Sequence, residues 1–367
     1  MTGPVTGPQT VASFQRCLHT RHPTASDSSC GEQANSPPGT RSKALLIFPL
    51  SFYSFVEVIK EALTELGYDV IVANHEYPDN AFGKILGKLR IFWLLEAITQ
   101  QIFHRNYIKN KRYSVAIIVK GRGISKRLLR ELHTVATRIV AYSFDSFDYN
   151  PAPLRWYKNV DNFYTFDYLD ADKYSLSVVE LFSSIPPLAQ APQHRAYDIS
   201  AILRNHSHRL KYLDKVRELW PNKTYYIYIY EQNIVSFLLN LIRNPMLYWK
   251  YRTHIHFEAL PYNHYVSILR NSFFTLDFAH PKQSGITVRC FEALSVQTKV
   301  ITNNRYVIRS PYFDEDNTII LRADAQLRQA TATFDRIRDN FVEARPRTVY
   351  DFLGDLLAEK PIQVLKI

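Results

Sequence analysis

Residues 272–278, Ser-Phe-Phe-Thr-Leu-Asp-Phe, form a near-continuous apolar run, and residues 299–304, Lys-Val-Ile-Thr-Asn-Asn, form a shorter one ending in turn formers. Between them stands Gln-Ser-Gly-Ile-Thr-Val-Arg-Cys-Phe-Glu-Ala-Leu, residues 283–294. Strand, short loop, helix and strand in that order make the parallel crossover of an α/β domain. At helical spacing Val288, Phe291 and Leu294 point to the sheet, while Gly285, Arg289 and Glu292 fall on another, unusually polar face. The helix begins at the carboxyl end of the first strand, where open α/β sheets bind ligands. Its free backbone N–H groups favour a phosphate. Arg289, one turn in, can add a charge-assisted bond to that phosphate, and Glu292 can accept from sugar hydroxyls. The competing reading is local: Arg289 and Glu292, three apart, suit a surface ion pair worth roughly 0.2–0.5 kcal/mol.

The chain has 367 residues, room for two domains of ~150 residues each. It holds only 11 glycines, and neither a P-loop nor a G-x-G-x-x-G motif occurs. The net charge of +11 suits nucleic acid, an anionic membrane surface or anionic substrates. No Lys/Arg block marks a nucleic-acid arm, so no nucleic-acid partner is expected. No apolar run reaches the ~18 residues of a membrane span, and no apolar signal core opens the chain, so a cytoplasmic location is expected. Cys17, Cys30 and Cys290 are scattered and suggest neither a disulfide frame nor a zinc site. His206 and His208 lack any companion cluster, so no metal is expected.

Taken in order, residues 1–42 are rich in Thr, Ser, Pro and Gly and read as a disordered leader. A first domain follows over 43–190. It has strands at 44–49, 69–73, 114–121, 138–142 and 162–167, with a basic helix at about 125–136. Residues 82–104 read as one basic amphipathic helix, suited either to a membrane surface or to a half-buried position with solvated lysines. Acidic residues recur at strand ends, at Asp145, Asp148, Asp167 and Asp170. A carboxylate on that rim can act as a general base, or can cap the next helix. The Pro-bearing stretch 186–195 reads as a linker. A second domain over 191–367 opens with a strand at 197–203. Its following loop, 204–209, carries Arg204, His206, His208 and Arg209, which suit either phosphate binding or plain solvation.

This arrangement resembles a known group. Residues 283–294 with 299–304 resemble the donor-site signature of bacterial lipopolysaccharide and capsular polysaccharide glycosyltransferase-like proteins of GT-B architecture. The first-domain series Ile-Ile-Val-Lys-Gly (117–121), Tyr-Ser-Phe-Asp-Ser (142–146) and Thr-Phe-Asp (165–167) with Asp170 looks like the order in that group. The resemblance spans about residues 44–345. It implies two Rossmann-like domains facing each other across a cleft. A nucleotide-sugar donor would lie on the second and a glycan or lipid-linked acceptor would enter from the first. It implies a nucleotide-diphosphate role for Ser284, Gly285, Thr287 and Arg289 and a sugar or ribose role for Glu292. Arg204, His208 and Arg209 join the donor side, and Asp145 is the expected base. Metal-independent catalysis without a cofactor, and peripheral contact with the inner membrane, are further implications. The group usually carries glycines where this chain has Arg204-Asn205 and Val296-Gln297-Thr298. Their absence implies an altered donor pocket, or a non-catalytic sugar- or nucleotide-binding assembly protein on the same fold.

Overall fold

The computed structural model describes residues 41–50, 53–188, 192, 194–205, 209–321, 327–339 and 346–358. The leader expected over 1–42 therefore lies, but for its last two residues, outside the described residues. The first sheet is built from β1 (Ser42–Phe48), β2 (Tyr68–Asn74), β3 (Tyr113–Val119), β4 (Ala136–Ser143), β5 (Asn162–Thr165) and β6 (Ser177–Val178). All its pairings are parallel, in the order β2-β1-β3-β4-β5-β6. Leu46 lies opposite Val72 on one side and Ile117 on the other, so the long apolar runs occupy the middle of the sheet. The intervening helices are α1 (Tyr53–Glu65), α2 (Ala81–Lys88), α3 (Phe92–Phe103), α4 (Lys126–His133) and α5 (Tyr168–Tyr174). α4 starts where its capping serine predicts: Ser125 Oγ accepts from Leu128 N at 3.1 Å. Val56, Ile59, Ala62 and Leu63 of α1 are buried on one stripe against this sheet.

The single helix expected over 82–104 is two. α2 ends in a Schellman motif, with Ile91 N donating to Leu86 O at 2.9 Å and Arg90 N to Gly87 O at 3.2 Å. Arg90 takes φ +58 at the position that favours glycine, and the chain restarts as α3. Apolar periodicity runs straight through this break, which is why it is invisible in the pattern.

The second sheet holds β7 (Tyr197–Arg204), β8 (Tyr225–Tyr230), β9 (Ile255–His256), β10 (Ser272–Asp277), β11 (Lys299–Thr302) and β12 (Thr318–Ile320). Its order is β12-β11-β10-β7-β8-β9, again parallel throughout. Counted from β7, this is the doubly wound order 3-2-1-4-5-6. Its helices are α6 (Arg209–Leu219), α7 (Ile234–Arg243), α8 (Pro245–Tyr251), α9 (Tyr262–Arg270), α10 (Val288–Ser295) and α11 (Leu327–Asp339). The last helix among the described residues, α12 (Val349–Leu357), follows the second sheet in sequence but packs with the first. Phe352 meets Tyr142 edge-on at 5.0 Å and shares a core cluster with Leu46 and Ile59. That cluster runs on through Phe182 into Ile286, Phe291 and Val300, so one apolar core joins the two sheets.

Candidate functional site

Each doubly wound sheet has a point where its strand order reverses, and ligands bind outside the carboxyl ends of the strands there. In the second sheet that point lies between β7 and β10, whose ends are Arg204 and Asp277. Two expected residues, Arg209 and Arg289, meet at this spot. Arg209 Nη2 donates to Phe278 O at 3.2 Å, and Arg289 Nη1 approaches Leu276 O at 3.5 Å. Burial and the nearby charge of Arg289 pull the Arg209 pKa down to about 10, with Asp277 opposing, so the group stays cationic at neutral pH. Burial works against the charge on Arg289, but Tyr265 and Asp277 outweigh it and the pKa is raised. The Arg289 Nε is buried with no hydrogen-bond partner. A guanidinium with a spare donor, beside a second guanidinium, is a place for an oxyanion.

Asp277 balances part of that charge and was not singled out by the sequence pattern. Its carboxylate accepts from Thr287 Oγ1 at 2.6 Å and from Thr302 Oγ1 at 3.0 Å. Thr287 is the N-cap residue of α10, yet its hydroxyl turns back to Asp277 rather than capping the helix. Arg204 is exposed and donates to Gln232 Oε1. His208 lies outside the described residues.

The N–H groups ahead of α10 have a different occupant from the expected diphosphate. Asp167, on the first sheet's side, accepts from Ser284 N at 2.6 Å, Ser284 Oγ at 2.7 Å and Gly285 N at 3.3 Å. The same carboxylate caps α5 through Asp170 N at 3.0 Å. Ser284 Oγ in turn accepts from Leu169 N at 2.9 Å. Asn304 Nδ2 closes the loop from below, on Ser284 O at 3.0 Å and Gly285 O at 3.1 Å. A Cβ on Gly285 would lie 2.2 Å from Phe166 Cδ2 and 2.7 Å from its backbone oxygen. In this structure Gly285 is small because Phe166 packs on it. The oxyanion that these N–H groups attract is the chain's own carboxylate.

Glu292 also departs from the expected polar, ligand-facing helix side. It is 5% exposed, on a helix buried almost all round. Tyr265 donates to its Oε2 at 2.8 Å, and Tyr262 and Ser184 donate to Oε1 at 3.0 and 3.2 Å. Burial raises its pKa, opposed by these hydroxyls. Among the described residues no ion pair joins it to Arg289, so the simple surface pair is not formed either.

Asp145 stands at the carboxyl end of β4 and forms an ion pair with Lys120 at 2.7 Å. Gln283 Nε2 of the α10 loop reaches it at 3.4 Å. His280 lies close by, stacked edge-on with Tyr149 at 5.2 Å. Burial, Arg209 and Lys282 keep its imidazole pKa low, with Asp145 opposing. Asp145 of the first sheet and Arg209 of the second are both near enough to His280 to influence its charge. Lys120 was missed, although its signal was there: a lone basic residue before the strand-end Gly121. Of the other strand-end acids, Asp167 and Asp170 do structural work. Asp170 accepts from Phe147 N at 2.6 Å. Among the described residues no group of three or more His, Cys, Asp or Glu side chains is placed to hold a metal ion.

No family model matches the chain, and no curated protein matches it. Solved structures do. The chain is similar to HepE of Anabaena, solved in complex with UDP-glucose, at 8% identity and a TM-score of 0.53, over 86% of this chain and 98% of that one. It is similar to sucrose-phosphate synthase of Thermosynechococcus elongatus at 9% identity and a TM-score of 0.50, over 86% of this chain and 95% of that one. At such identities the likeness is one of fold: two Rossmann-like sheets facing each other across a cleft, the GT-B architecture.

Proposed function

We propose that the chain is a glycosyltransferase that moves a sugar from a nucleotide-sugar donor to a polysaccharide or lipid-linked acceptor, in the manner of lipopolysaccharide and capsule assembly. The observation that carries the reading is the pair Arg209 and Arg289 at the switch point of a 3-2-1-4-5-6 sheet, with the Arg289 Nε buried and unpartnered. The UDP-glucose in the HepE structure supports a nucleotide sugar as the ligand class. The donor's diphosphate lies on the two guanidinium groups, while Ser284 and Gly285 hold the loop through Asp167 instead of touching phosphate. Asp145 takes the proton of the acceptor hydroxyl as its oxygen attacks the anomeric carbon. The bond from that carbon to the diphosphate breaks, and Arg209 and Arg289 collect the charge that the departing diphosphate gains. Lys120 orients Asp145 through their ion pair at 2.7 Å.

Two exposed apolar faces support work at a lipid surface. One carries Phe82, Ile85, Leu89 and Trp93, and the other Ile234, Val235, Ile242, Met246 and Trp249. No helix among the described residues is long and apolar enough to cross a membrane, so contact would be peripheral.

The test is a thermal-shift and titration series with UDP-, GDP-, ADP- and CMP-sugars, beginning with UDP-glucose. A donor at 100 times its Kd adds roughly 2.7 kcal/mol of stability. Arg289→Ala should then weaken donor binding about 10- to 150-fold, the value of a lost charge-assisted bond. No stabilisation by any nucleotide sugar, or an unchanged affinity in Arg289→Ala, defeats the proposal.

A further inference from the structure

The first sheet has its own switch point, between β1 and β3, and a cavity of about 240 Å³ opens there. Its walls come from the carboxyl ends of four strands: Pro49 after β1, His75 after β2, Lys120 after β3 and Asp145 after β4. Arg90, Arg122, Tyr149 and Asn150 complete the polar lining. The donors outnumber the acceptors. Arg122 is ion-paired with Glu76 through one Nη, but its Nε is buried without a partner. Lys120 is ion-paired with Asp145 at 2.7 Å. Arg90 is exposed and has no ion pair to a described residue. Asn150 is 7% exposed; its backbone N–H is spent on Ser146 O at 2.8 Å, and its side-chain Nδ2 has no partner. One unpartnered acceptor lies next door, Glu76 Oε2. Burial, with the charges of Arg122 and Lys120, holds the His75 pKa well below its ordinary value. Left-handed backbone at Arg90 (φ +58) and Lys120 (φ +65) turns these two residues out of α2 and β3 at the cavity.

Buried unpartnered donors carry a desolvation cost that a ligand acceptor would remove. A neutral sugar hydroxyl can also accept from such donors, but it brings an O–H that needs an acceptor of its own and carries no charge to answer the arginines. An oxyanion offers acceptors alone, and a tetrahedral one can meet donors arriving from several elements at once. We infer that this cavity binds a phosphate group carried by the acceptor. The word acceptor rests on the glycosyltransferase reading; the phosphate site does not. Asp145 lies on the cavity wall, so a phosphate held there sets a neighbouring hydroxyl of the same molecule beside the proposed base.

The probe is inorganic phosphate, titrated calorimetrically into the full chain, with chloride and glycerol as controls. Three variants separate the sites. Arg90→Glu removes an exposed cation without touching the core. Asn150→Ala removes the buried donor. Arg209→Ala disables the donor side alone. Because the Arg209–Arg289 pair is itself a place for an oxyanion, the comparison is made in Arg209→Ala, where we expect a remaining phosphate site that weakens about tenfold or more when Arg90→Glu or Asn150→Ala is added. No binding by the unmodified chain overturns the inference. So does binding lost in Arg209→Ala, or kept there when Arg90→Glu and when Asn150→Ala is added. Circular dichroism of Asn150→Ala checks its fold, and Arg90→Glu alone decides if that variant is unfolded. A separate titration with UDP-glucose distinguishes the two readings. Phosphate binding at the Arg90 cavity with no UDP-glucose binding would condemn the donor site and leave this one standing.

Discussion

Gln297 carries a positive φ, +58, at the residue after the cap of α10. Thr298 N donates to Ala293 O at 2.8 Å and Gln297 N to Leu294 O at 2.9 Å, a Schellman motif whose turning position prefers glycine. The glycine missing at 296–298 is therefore missing from a helix stop, not from a ligand's path. Gln297→Gly should stabilise the protein by about 0.5–1 kcal/mol, since a left-handed non-glycine costs roughly 1–2 kcal/mol and added chain entropy returns part of the gain. Urea midpoints measure this, and a destabilised variant would mean that the Gln297 Nε2 bond to Leu188 O outweighs the strain. Asp170 makes a pH-dependent prediction. Burial raises its pKa from an ordinary 3.8 to about 6, with the Phe147 N–H opposing and Asp167 and Asp148 adding to the rise. The folded chain thus holds this proton more tightly than the unfolded one. Its contribution to stability is complete below pH 4, falls as pH rises, and is gone above about 6. Asp170→Asn keeps an acceptor for Phe147 and removes the titration. Its stability relative to the parent should climb between pH 4 and 7 by up to about 2–3 kcal/mol. Parallel stability curves for the two proteins would refute this.

The loop between β10 and α10 is held by contacts from the first sheet that the local sequence does not show. Its strand, helix and following strand were legible because apolar period and length agree. Its partner was not, because Asp167 and Ser284 lie 117 residues apart and no local pattern encodes a contact across that span. The same limit hid α12, whose apolar stripe is plain in sequence but whose target, the first sheet, is not. The short strands β6, β9 and β12, two or three residues each, are too brief for a period to register. The two-residue meeting of Gly285 and Phe166 gives the element its sharpest test. Gly285→Ala should cost about 1–3 kcal/mol from overpacking, because the obstacle includes backbone oxygen that cannot rotate away. Adding Phe166→Leu should recover part of it. An unaffected melting temperature in Gly285→Ala would show that the loop does not press on Phe166 in solution.

Across the whole molecule, the two sheets are joined by a polar seam as well as by the shared core. Asp167 on Ser284 and Gly285, Ser146 Oγ on Lys282 O at 2.5 Å, and Arg309 with Asp172 at 2.7 Å all bridge the two halves. Asp167→Ala should free the Ser284 and Gly285 amides. Their hydrogen exchange should quicken about 10- to 150-fold, the range of a lost charged hydrogen bond, while amides in the middle of β3 and β7 stay protected. Equal rates before and after the substitution would place the strength of the seam elsewhere. The position of Asp167 has one more result. A carboxylate tethered by the fold acts as a resident competitor, present at an effective concentration in the millimolar range or above whenever the halves are closed. Free phosphates and metabolite carboxylates at ordinary levels are turned away from the Ser284–Gly285 niche by this built-in rival. Exchange there requires Asp167 to release the two amides, which makes the niche a reporter of that release rather than a port of entry.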